Sequence, residues 1–309
     1  MHPVDRSSLT IVPSSTPSFS ASRALNPTLL LHLIDDAAVF PPGNAPLRRA
    51  VAEHRRHRSS SYAAAIGPLL VPVADAATIA DLAADRSLAV GLIARPGTPR
   101  QVIEEGVALL RVDPTVRVSG LELGWVPQWR AFDVAGIPLT LEVPRGPDHD
   151  RALDDVAQAR AAALPAQVKF RTGATPTWPW PTERELAEFI TGAVSRGLPF
   201  KLTGGLHHLL RADHDGGRPE HGLLNVLLAT QRAVTEPNRV DEVESVLAER
   251  DPLAVVPVLE RWKPAQIEAV RSAFTAYGCC GVTDPLTELD AMGLLPADLA
   301  TDLPHPDER

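Results

Sequence analysis

Short apolar runs alternate with helical patterns along most of the chain. Eight near-continuous apolar runs are predicted as strands, and they cover residues 31–40, 68–73, 88–94, 116–123, 138–143, 167–173, 199–204 and 276–282. Segments with helical periodicity cover residues 45–58, 75–84, 98–111, 148–163, 182–196 and 264–273. Strands that are apolar along their whole length are typical of a parallel sheet covered by helices. Eight such strands predict an α/β fold, a (β/α)8 TIM barrel with the helices outside.

The segment that follows the first predicted strand distinguishes the barrel from the other common α/β architecture, the doubly wound open sheet. A doubly wound open sheet usually carries a glycine-rich phosphate-binding turn at this place. Residues 35–43 read DDAAVFPPG and contain no G-x-G-x-x-G pattern. The sequence therefore favours the closed barrel.

Two segments depart from the alternation. Residues 1–25 are rich in Ser, Pro and Thr, which predicts a flexible N-terminal arm ahead of a single barrel domain at residues 26–309. Residues 209–259 form an insertion after the seventh strand, and its first part, residues 209–222, is polar with two consecutive glycines. Insertions at the carboxyl end of a barrel strand lie over the active site. We therefore expect residues 209–222 to be a mobile lid with few apolar anchors.

Composition and charge narrow the classes of partner and the compartment. The net charge of −8 argues against a nucleic-acid-binding protein, since phosphates attract a basic surface. The apolar runs are far shorter than the ~20 residues of a membrane span, and residues 1–20 lack the pattern of a secretory signal. Cys279 and Cys280 are adjacent, which is neither a disulfide framework nor a zinc-site spacing. We expect a cytoplasmic protein with no cofactor, metal, membrane or nucleic-acid partner.

Lysine is rare in this chain. Only three of the 30 basic residues are lysine, at Lys169, Lys201 and Lys263. Arginine stays protonated near neutral pH, whereas a buried lysine can lose its proton. Lys263 fits an ordinary surface position, but Lys169 and Lys201 lie on the predicted strands six and seven. The retained lysines therefore point to chemistry that arginine cannot supply.

Polar residues near the carboxyl ends of the predicted strands form the candidate site, because barrel enzymes place their chemistry at that end. They are Asp35, Asp36, Glu122, Glu142, Lys169, Arg171, Lys201 and, just beyond strand seven, His207 and His208. Lys169 and Arg171 are two residues apart and share one face of a strand, which points into the barrel if Phe170 packs outward. Strands six and seven are neighbours in a barrel, so Lys169 and Lys201 are expected to lie close together.

Two ammonium groups in a partly desolvated barrel mouth are expected to lower each other's pKa, and burial lowers a lysine pKa further. A neutral amine is a nucleophile toward carbonyls and forms Schiff bases, and Glu122 could shuttle protons beside it. The alternative is that each lysine forms a structural salt bridge with Glu122 or Glu142 and has no catalytic role.

Three segments resemble motifs of the deoxyribose-phosphate aldolase family. Lys169-Phe170-Arg171-Thr172-Gly173 resembles that family's K-x-x-T-G motif on strand six, and Lys201-Leu202-Thr203-Gly204-Gly205 is similar to its K-x-x-G-G motif on strand seven. Tyr277-Gly278-Cys279-Cys280-Gly281 is similar to the phosphate-binding turn on the last strand, with Cys where Ser is common. Asp35 and Asp36 resemble the acidic end of the family's first strand. The His207-His208 pair and the insertion after it depart from the family pattern.

The resemblance implies a class I aldolase in a (β/α)8 barrel. It implies that Lys169 carries the Schiff base, that Lys201 lowers the pKa of Lys169, and that Glu122 relays protons. The residues expected to bind a small carbonyl substrate are Asp35, Asp36, Glu142, Arg171, Gly204, Gly205, His207, His208, Gly278 and Cys279. The chain could assemble as a homo-oligomer.

Two other functions stay open at this point. One of His207 and His208 could join Glu122 and Glu142 as an oxygen and nitrogen ligand set, which would give a metal-dependent lyase or hydrolase. A barrel that binds a ligand and catalyses nothing is the second, since a fold alone does not fix a function. The sequence leaves open the carbonyl substrate, its phosphorylation, and whether an imine serves aldol, decarboxylation, dehydration or cyclisation chemistry.

Overall fold

Eight parallel strands close into a barrel in the computed structural model, which describes residues 24–304 except 133, 135, 177 and 215. Around the barrel the order of strands is β1-β10-β7-β6-β5-β4-β3-β2. Their bounds are β1 (Ile34–Asp36), β2 (Ile66–Pro72), β3 (Leu88–Ala94), β4 (Val116–Gly124), β5 (Leu139–Glu142), β6 (Ala166–Arg171), β7 (Phe200–Thr203) and β10 (Phe274–Cys279). The predicted (β/α)8 TIM barrel is confirmed.

Helices surround the barrel. They are α1 (Leu47–His57), α2 (Ala76–Ala83), α3 (Arg100–Val112), α4 (His149–Ala161), α5 (Glu183–Ser195), α6 (Leu223–Thr235), α7 (Val240–Ala248), α8 (Pro252–Glu260), α9 (Pro264–Ala273), α10 (Thr283–Ala291) and α11 (Ala297–Ala300). A capping box of Thr182 and Glu185 begins α5. Neither α6 nor α10 is predicted from the sequence. Helix α6 buries eight of its 13 residues, and residues 223–229 are apolar except for Asn225, so the helical period is hidden over its first two turns.

The first strand is much shorter than the predicted segment 31–40. It ends at Asp36, whose Oδ1 accepts a hydrogen bond from the backbone N–H of Ala38 at 3.1 Å. Such a turn between an aspartate and the residue two positions on competes with the strand ladder. The chain therefore leaves the barrel after Asp36, and residues 37–46 connect β1 to α1.

Strands β6 and β7 are adjacent and parallel, as the sequence analysis expects, and Lys169 pairs with Lys201 in their register. Phe170 points outward and stacks on Phe189 of α5, with ring centroids 4.9 Å apart. Because side chains alternate along a strand, Lys169 and Arg171 take the inner face. The outward packing of one aromatic side chain thus fixes the direction of both cations.

The predicted N-terminal arm lies almost wholly outside the described residues. Its last residue, Leu25, is described and is buried. The backbone N–H of Leu25 donates to the carbonyl oxygen of Leu294 at 2.8 Å. Leu25 therefore belongs to the packed domain, contrary to the predicted boundary. No helix within residues 24–304, apart from the four undescribed positions, is long and apolar enough to cross a membrane.

The segment predicted as a lid contains an antiparallel hairpin of β8 (Ala212–His214) and β9 (Arg218–Glu220). The segment has few apolar anchors, as expected, namely the buried Leu209 and the partly buried Leu210. Its main anchor is polar, because the buried Arg211 side chain contacts Glu183 Oε1 through its Nε at 2.5 Å. The hairpin is tied to the N-terminus of α5, because that is where Glu183 lies. Closure of this segment over the barrel mouth stays a prediction.

Arg211→Ala is expected to lower the free energy of unfolding by roughly 3 kcal/mol, because it removes one partner of a buried ion pair. Arg250→Ala is the matched control, since Arg250 pairs with Asp213 of the same hairpin with both side chains about half exposed. Its expected cost is below about 1 kcal/mol. Urea unfolding of both variants measures the difference. Equal costs would show that burial of the Arg211 pair contributes nothing.

Candidate active site

A cluster of two lysines and three carboxylates lies inside the barrel at the carboxyl ends of its strands. Lys169 Nζ lies 2.9 Å from Glu122 Oε2 and 3.0 Å from Glu142 Oε2. Lys201 Nζ contacts Glu122 Oε1 at 2.5 Å and also donates to Asp35 Oδ2. Glu122 therefore bridges the two ammonium groups, one with each carboxylate oxygen. These five side chains come from β1, β4, β5, β6 and β7.

One side of the cluster faces solvent. Arg171 Nε donates to Glu142 Oε1 at 3.0 Å, and these side chains are 38% and 27% exposed. The side chains of Lys169 and Glu122, by contrast, are each 4% exposed. A molecule that enters from the barrel mouth therefore meets Arg171 and Glu142 before it reaches Lys169.

The pKa of Lys169 is shifted in the direction opposite to the one predicted from the sequence. Burial by itself lowers the pKa of a lysine, but the ion pairs with Glu122 and Glu142 outweigh burial, and the pKa of Lys169 is raised. The pKa of Lys201 is likewise raised, because Asp35 and Glu122 outweigh its burial. The expected mutual lowering of the two lysine pKa values is therefore wrong for this resting site, because interposed carboxylates compensate both charges.

The two most buried carboxylates of the cluster have opposite tendencies. Burial raises the pKa of Glu122, but contacts with Lys169 and Lys201 outweigh it and lower this pKa to about 2. Asp35 has one ammonium partner, so burial outweighs Lys201 and the pKa of Asp35 is raised. Glu122 thus holds a negative charge firmly, and Asp35 is the carboxylate that takes up a proton more readily.

The structure does not bring Asp36 into this cluster. Its Oδ2 lies 3.0 Å from Nδ1 of His54 on α1, and both side chains are almost fully buried. Consecutive residues of a strand point to opposite faces, so Asp35 faces the barrel interior and Asp36 faces the helical layer. The predicted role of Asp36 in substrate binding is therefore wrong, and Asp36 is a structural partner of α1.

The glycines of the two lysine motifs permit close backbone contact. A Cβ on Gly173 would lie 1.7 Å from the carbonyl oxygen of Gly204, so the loops after β6 and β7 touch there. Gly204 has φ +79°, and a Cβ on Gly205 would lie 2.9 Å from Thr172 Oγ1. Their visible role is to hold the two strand ends together, and substrate contact by Gly204 and Gly205 stays a prediction.

Gly173→Ala is expected to destabilise the protein by several kcal/mol, because a backbone carbonyl cannot move away from the new methyl group as a side chain would. Gly124→Ala is the control, since a Cβ at Gly124 meets no atom within 4 Å. Thermal unfolding of both variants measures the effect. An unchanged melting temperature in Gly173→Ala would contradict this close approach of the loops.

The two adjacent histidines have partners on α10. His207 Nδ1 lies 3.1 Å from Asp284 Oδ2, and His208 Nδ1 lies 2.5 Å from Glu288 Oε1. The His208 ring also stacks on His214 of the hairpin at 3.5 Å. His208 therefore joins the loop after β7 to α10 and to the hairpin.

These contacts argue against the alternative of a metal site made of Glu122, Glu142 and one of the two histidines. The carboxylates of Glu122 and Glu142 already form ion pairs with a lysine. His207 and His208 pair instead with carboxylates of α10. The proposed oxygen and nitrogen set is therefore not assembled. Within the part of the chain that the structure describes, no group of three or more His, Cys, Asp or Glu side chains is placed to hold a metal ion.

The turn after β10 differs from a phosphate-binding turn in its charge. A Cβ on Gly281 would lie 2.2 Å from Asp284 Oδ2, so the Asp284 carboxylate lies against this turn. Cys279 is buried and its thiol donates to the carbonyl oxygen of Gly281 at 3.3 Å. A Cβ on Gly278 would lie 3.2 Å from Leu70 Cδ1 and 3.4 Å from Thr203 Oγ1 of β7. Asp284 pairs with His207, so the turn presents no net positive charge to a phosphate group, and phosphate binding there stays a prediction.

A cavity of about 200 Å³ lies beneath the lysines, on the amino-terminal side of the cluster. Its polar lining includes Ser119, Thr140, Gln167 and Thr275, together with Lys201 and Asp35. Gln167 links two of these side chains, since it donates to Thr140 Oγ1 and accepts from Thr275 Oγ1. Most TIM barrels fill this space with branched apolar side chains. The cavity offers a polar environment next to Lys201.

Several residues of this region have no signal in the sequence analysis. Asp284 and Glu288 belong to α10, a helix that is not predicted from the sequence. His54 belongs to the predicted helix α1, but its sequence position gives no sign that it faces Asp36. The four-residue spacing of Asp284 and Glu288 is the signal that could have found them, because such residues share one face of a helix.

Comparison with known proteins adds nothing to the fold and site described above. No protein-family model matches the chain, and no curated protein matches it. A solved structure that is similar is deoxyribose phosphate aldolase from Aeropyrum pernix, itself a tetramer, with 12% sequence identity and a TM-score of 0.37 over 86% of this chain and 93% of that chain. That likeness is too weak to bear on activity or assembly.

Proposed function

We propose that this protein is a class I aldolase-type lyase, in which Lys169 forms a Schiff base with a small carbonyl substrate. The observation that carries the proposal is the bridging position of Glu122, which contacts both Lys169 and Lys201 inside the barrel. A nucleophilic lysine must lose a proton before it attacks a carbonyl. The cluster supplies groups that can take that proton and hold it.

A continuous set of contacts leads from Lys169 to Asp35. Lys169 donates to one oxygen of Glu122, while Lys201 donates to the other oxygen and to Asp35. A coupled shift along these contacts would leave Lys169 neutral and Asp35 protonated, with Lys201 and Glu122 unchanged in charge. The raised pKa of Asp35, which burial causes, favours this end state. The raised pKa of Lys169 means that the shift must occur when the substrate is bound.

The choice of Lys169 over Lys201 follows from their surroundings. Lys169 is next to Glu142 and Arg171, the part of the cluster that faces solvent. Lys201 is held between Asp35 and Glu122, and its role is to return the proton and to keep Glu122 ionised. This agrees with the resemblance of Lys169 to the strand-six motif.

The bond changes are those of imine chemistry. The Lys169 amine adds to the carbonyl carbon, and loss of water gives a protonated imine that accepts the electron pair of a breaking carbon–carbon bond. Glu142 is placed beside Lys169 to exchange the proton of the carbinolamine hydroxyl, and Arg171 is placed to hold a substrate oxygen. The same imine would serve decarboxylation, dehydration or cyclisation.

The structure favours a substrate without a phosphate group. At the turn after β10 the Asp284 carboxylate pairs with His207, so the turn presents no net positive charge to a phosphate group. Arg171 is the partly exposed cation of the cluster, and Glu142 already neutralises part of its charge. A small neutral or hydroxylated aldehyde or ketone fits these surroundings.

Reductive trapping tests the proposal. The protein is incubated with acetaldehyde, pyruvate or dihydroxyacetone in the presence of borohydride, and the mass and position of any adduct are measured. An adduct on Lys169 with at least one carbonyl compound is the expected result. Adducts confined to Lys263 or the terminal amine would overturn it. Activity that a chelator removes would favour metal chemistry, and binding without any adduct would favour a non-catalytic barrel.

A further inference from the structure

Three side chains at the carboxyl end of the barrel, where β10 leads into α10, form a relay. Cys280 Sγ lies 3.4 Å from His207 Nε2. The other ring nitrogen of the same histidine, Nδ1, lies 3.1 Å from Asp284 Oδ2. The thiol and the carboxylate are therefore on opposite nitrogens of one imidazole. This is the order of groups that activates a nucleophile, a thiol followed by a base and by a group that orients the base.

The relay is accessible and has a defined direction. Cys280 is half-buried, His207 is 21% exposed and Asp284 is 36% exposed, so small molecules can reach the thiol. A carboxylate at Nδ1 favours the tautomer that carries a proton there, which leaves Nε2 free to take the thiol proton. Hydrogen bonds with Asp284 and both cysteines raise the pKa of His207, so the imidazole holds that proton well.

The neighbouring Cys279 provides an internal contrast. It is fully buried, its thiol donates to the carbonyl oxygen of Gly281, and its Sγ lies 3.7 Å from His207 Nδ1, the nitrogen that faces Asp284. Burial raises the pKa of Cys279, which disfavours its thiolate. Cys280 is not among the residues predicted to bind substrate, because His207 is 73 residues from Cys280 and only the fold brings them together.

We propose that Cys280 is a nucleophilic thiol that binds a small aldehyde covalently and reversibly. The thiol sulfur adds to the aldehyde carbon, the S–H proton passes to His207 Nε2, and the same proton then moves to the carbonyl oxygen. The product is a hemithioacetal, which forms without a leaving group, an oxidant or a second reactant. The choice of an aldehyde rests on the proposed function, since a retro-aldol reaction at Lys169 releases an aldehyde in the same barrel mouth. Asp284 is a positioning residue.

Alkylation kinetics test the activation of the thiol. Iodoacetamide is added at neutral pH, and peptide mass spectrometry follows Cys279 and Cys280 in the same molecule. We expect Cys280 to react faster than Cys279, and His207→Gln to slow Cys280 by roughly tenfold or more because the base is lost. Asp284→Asn is expected to slow Cys280 to a smaller extent. An unchanged Cys280 rate in folded His207→Gln would overturn the proposal, since a merely exposed thiol would not depend on that ring.

Aldehyde binding is tested separately from the lysine chemistry. Propanal labelled with ¹³C at C1 is added to the wild type, to Cys280→Ser and to Lys169→Arg. We expect a hemithioacetal carbon resonance in the wild type and in Lys169→Arg but not in Cys280→Ser. Protection of Cys280 from iodoacetamide is expected in both proteins that keep this thiol, the wild type and Lys169→Arg. Protection that disappears in Lys169→Arg would overturn the thiol proposal. Protection in Lys169→Arg together with no borohydride adduct in the wild type would overturn the proposed lyase function and leave the thiol site standing.

Discussion

Lys169→Arg is expected to abolish both turnover and the borohydride-trapped adduct while the protein remains folded. Arginine keeps the positive charge, so Glu122 and Glu142 retain a cationic partner inside the barrel. A guanidinium stays protonated at any practical pH and cannot add to a carbonyl. Loss of a covalent nucleophile costs several orders of magnitude in rate, so the expected result is no detectable adduct mass. Mass spectrometry after reduction and thermal unfolding measure the two halves of this expectation.

Two conservative variants act as controls. Lys263 is exposed and lies just before α9, so Lys263→Arg should trap and turn over like the wild type. Lys201→Arg keeps a cation between Asp35 and Glu122, so imine formation should persist at a reduced rate. Because these are the three lysines of the chain, the adduct position is unambiguous. Substrate-dependent activity that survives in Lys169→Arg would contradict the Schiff-base mechanism.

Glu122→Gln is expected to remove a large part of the pH dependence of stability in acid. The folded protein lowers the pKa of Glu122 from 4.5 to about 2, since its contacts with Lys169 and Lys201 outweigh burial. A shift of that size corresponds to roughly 3 kcal/mol. A carboxyl group with a lowered folded pKa contributes stability that is fully present above its unfolded pKa. This contribution is lost as the pH falls from about 4.5 toward 2.

Urea unfolding of the wild type and of Glu122→Gln between pH 7 and pH 2.5 measures this difference. At pH 7 the variant should be less stable by roughly 3 kcal/mol, because both lysines lose a buried partner. The two free energies of unfolding should converge as the pH falls below about 4.5, because the unfolded chain takes up a proton on Glu122 there while the folded carboxylate, with its pKa of about 2, stays ionised. Arg250→Ala serves as the control, since its pair with Asp213 is half exposed and should change the acid limb far less. A constant difference across this range would contradict the lowered pKa of Glu122.

The barrel fold could be predicted from the pattern of apolar and polar residues along the chain. Near-continuous apolar strands alternating with helical segments admit few arrangements, because both faces of a parallel sheet must be covered. Period-two alternation also predicts that Lys169 and Arg171 share the inner face, as the outward stacking of Phe170 on Phe189 confirms. These features are local, so they are visible in short stretches of chain. Helix α6 has a weaker local signal, since residues 223–229 are apolar except for Asn225 and show no alternation of apolar and polar positions.

The electrostatics of the site depend on contacts that exist only in the folded protein. The sequence places two lysines on neighbouring strands, but the carboxylates that raise their pKa values come from β1, β4 and β5. In the same way, the turn of the chain after Asp36 directs Asp35 inward and Asp36 toward His54.

The relay of Cys280, His207 and Asp284 has the same origin, because the loop after β7 and the start of α10 meet only when the barrel closes. Charge interactions depend on distances between side chains that are far apart along the chain. Strand and helix patterns, by contrast, depend on neighbours within a few residues. The distances that set the charge interactions therefore exist only in the folded protein.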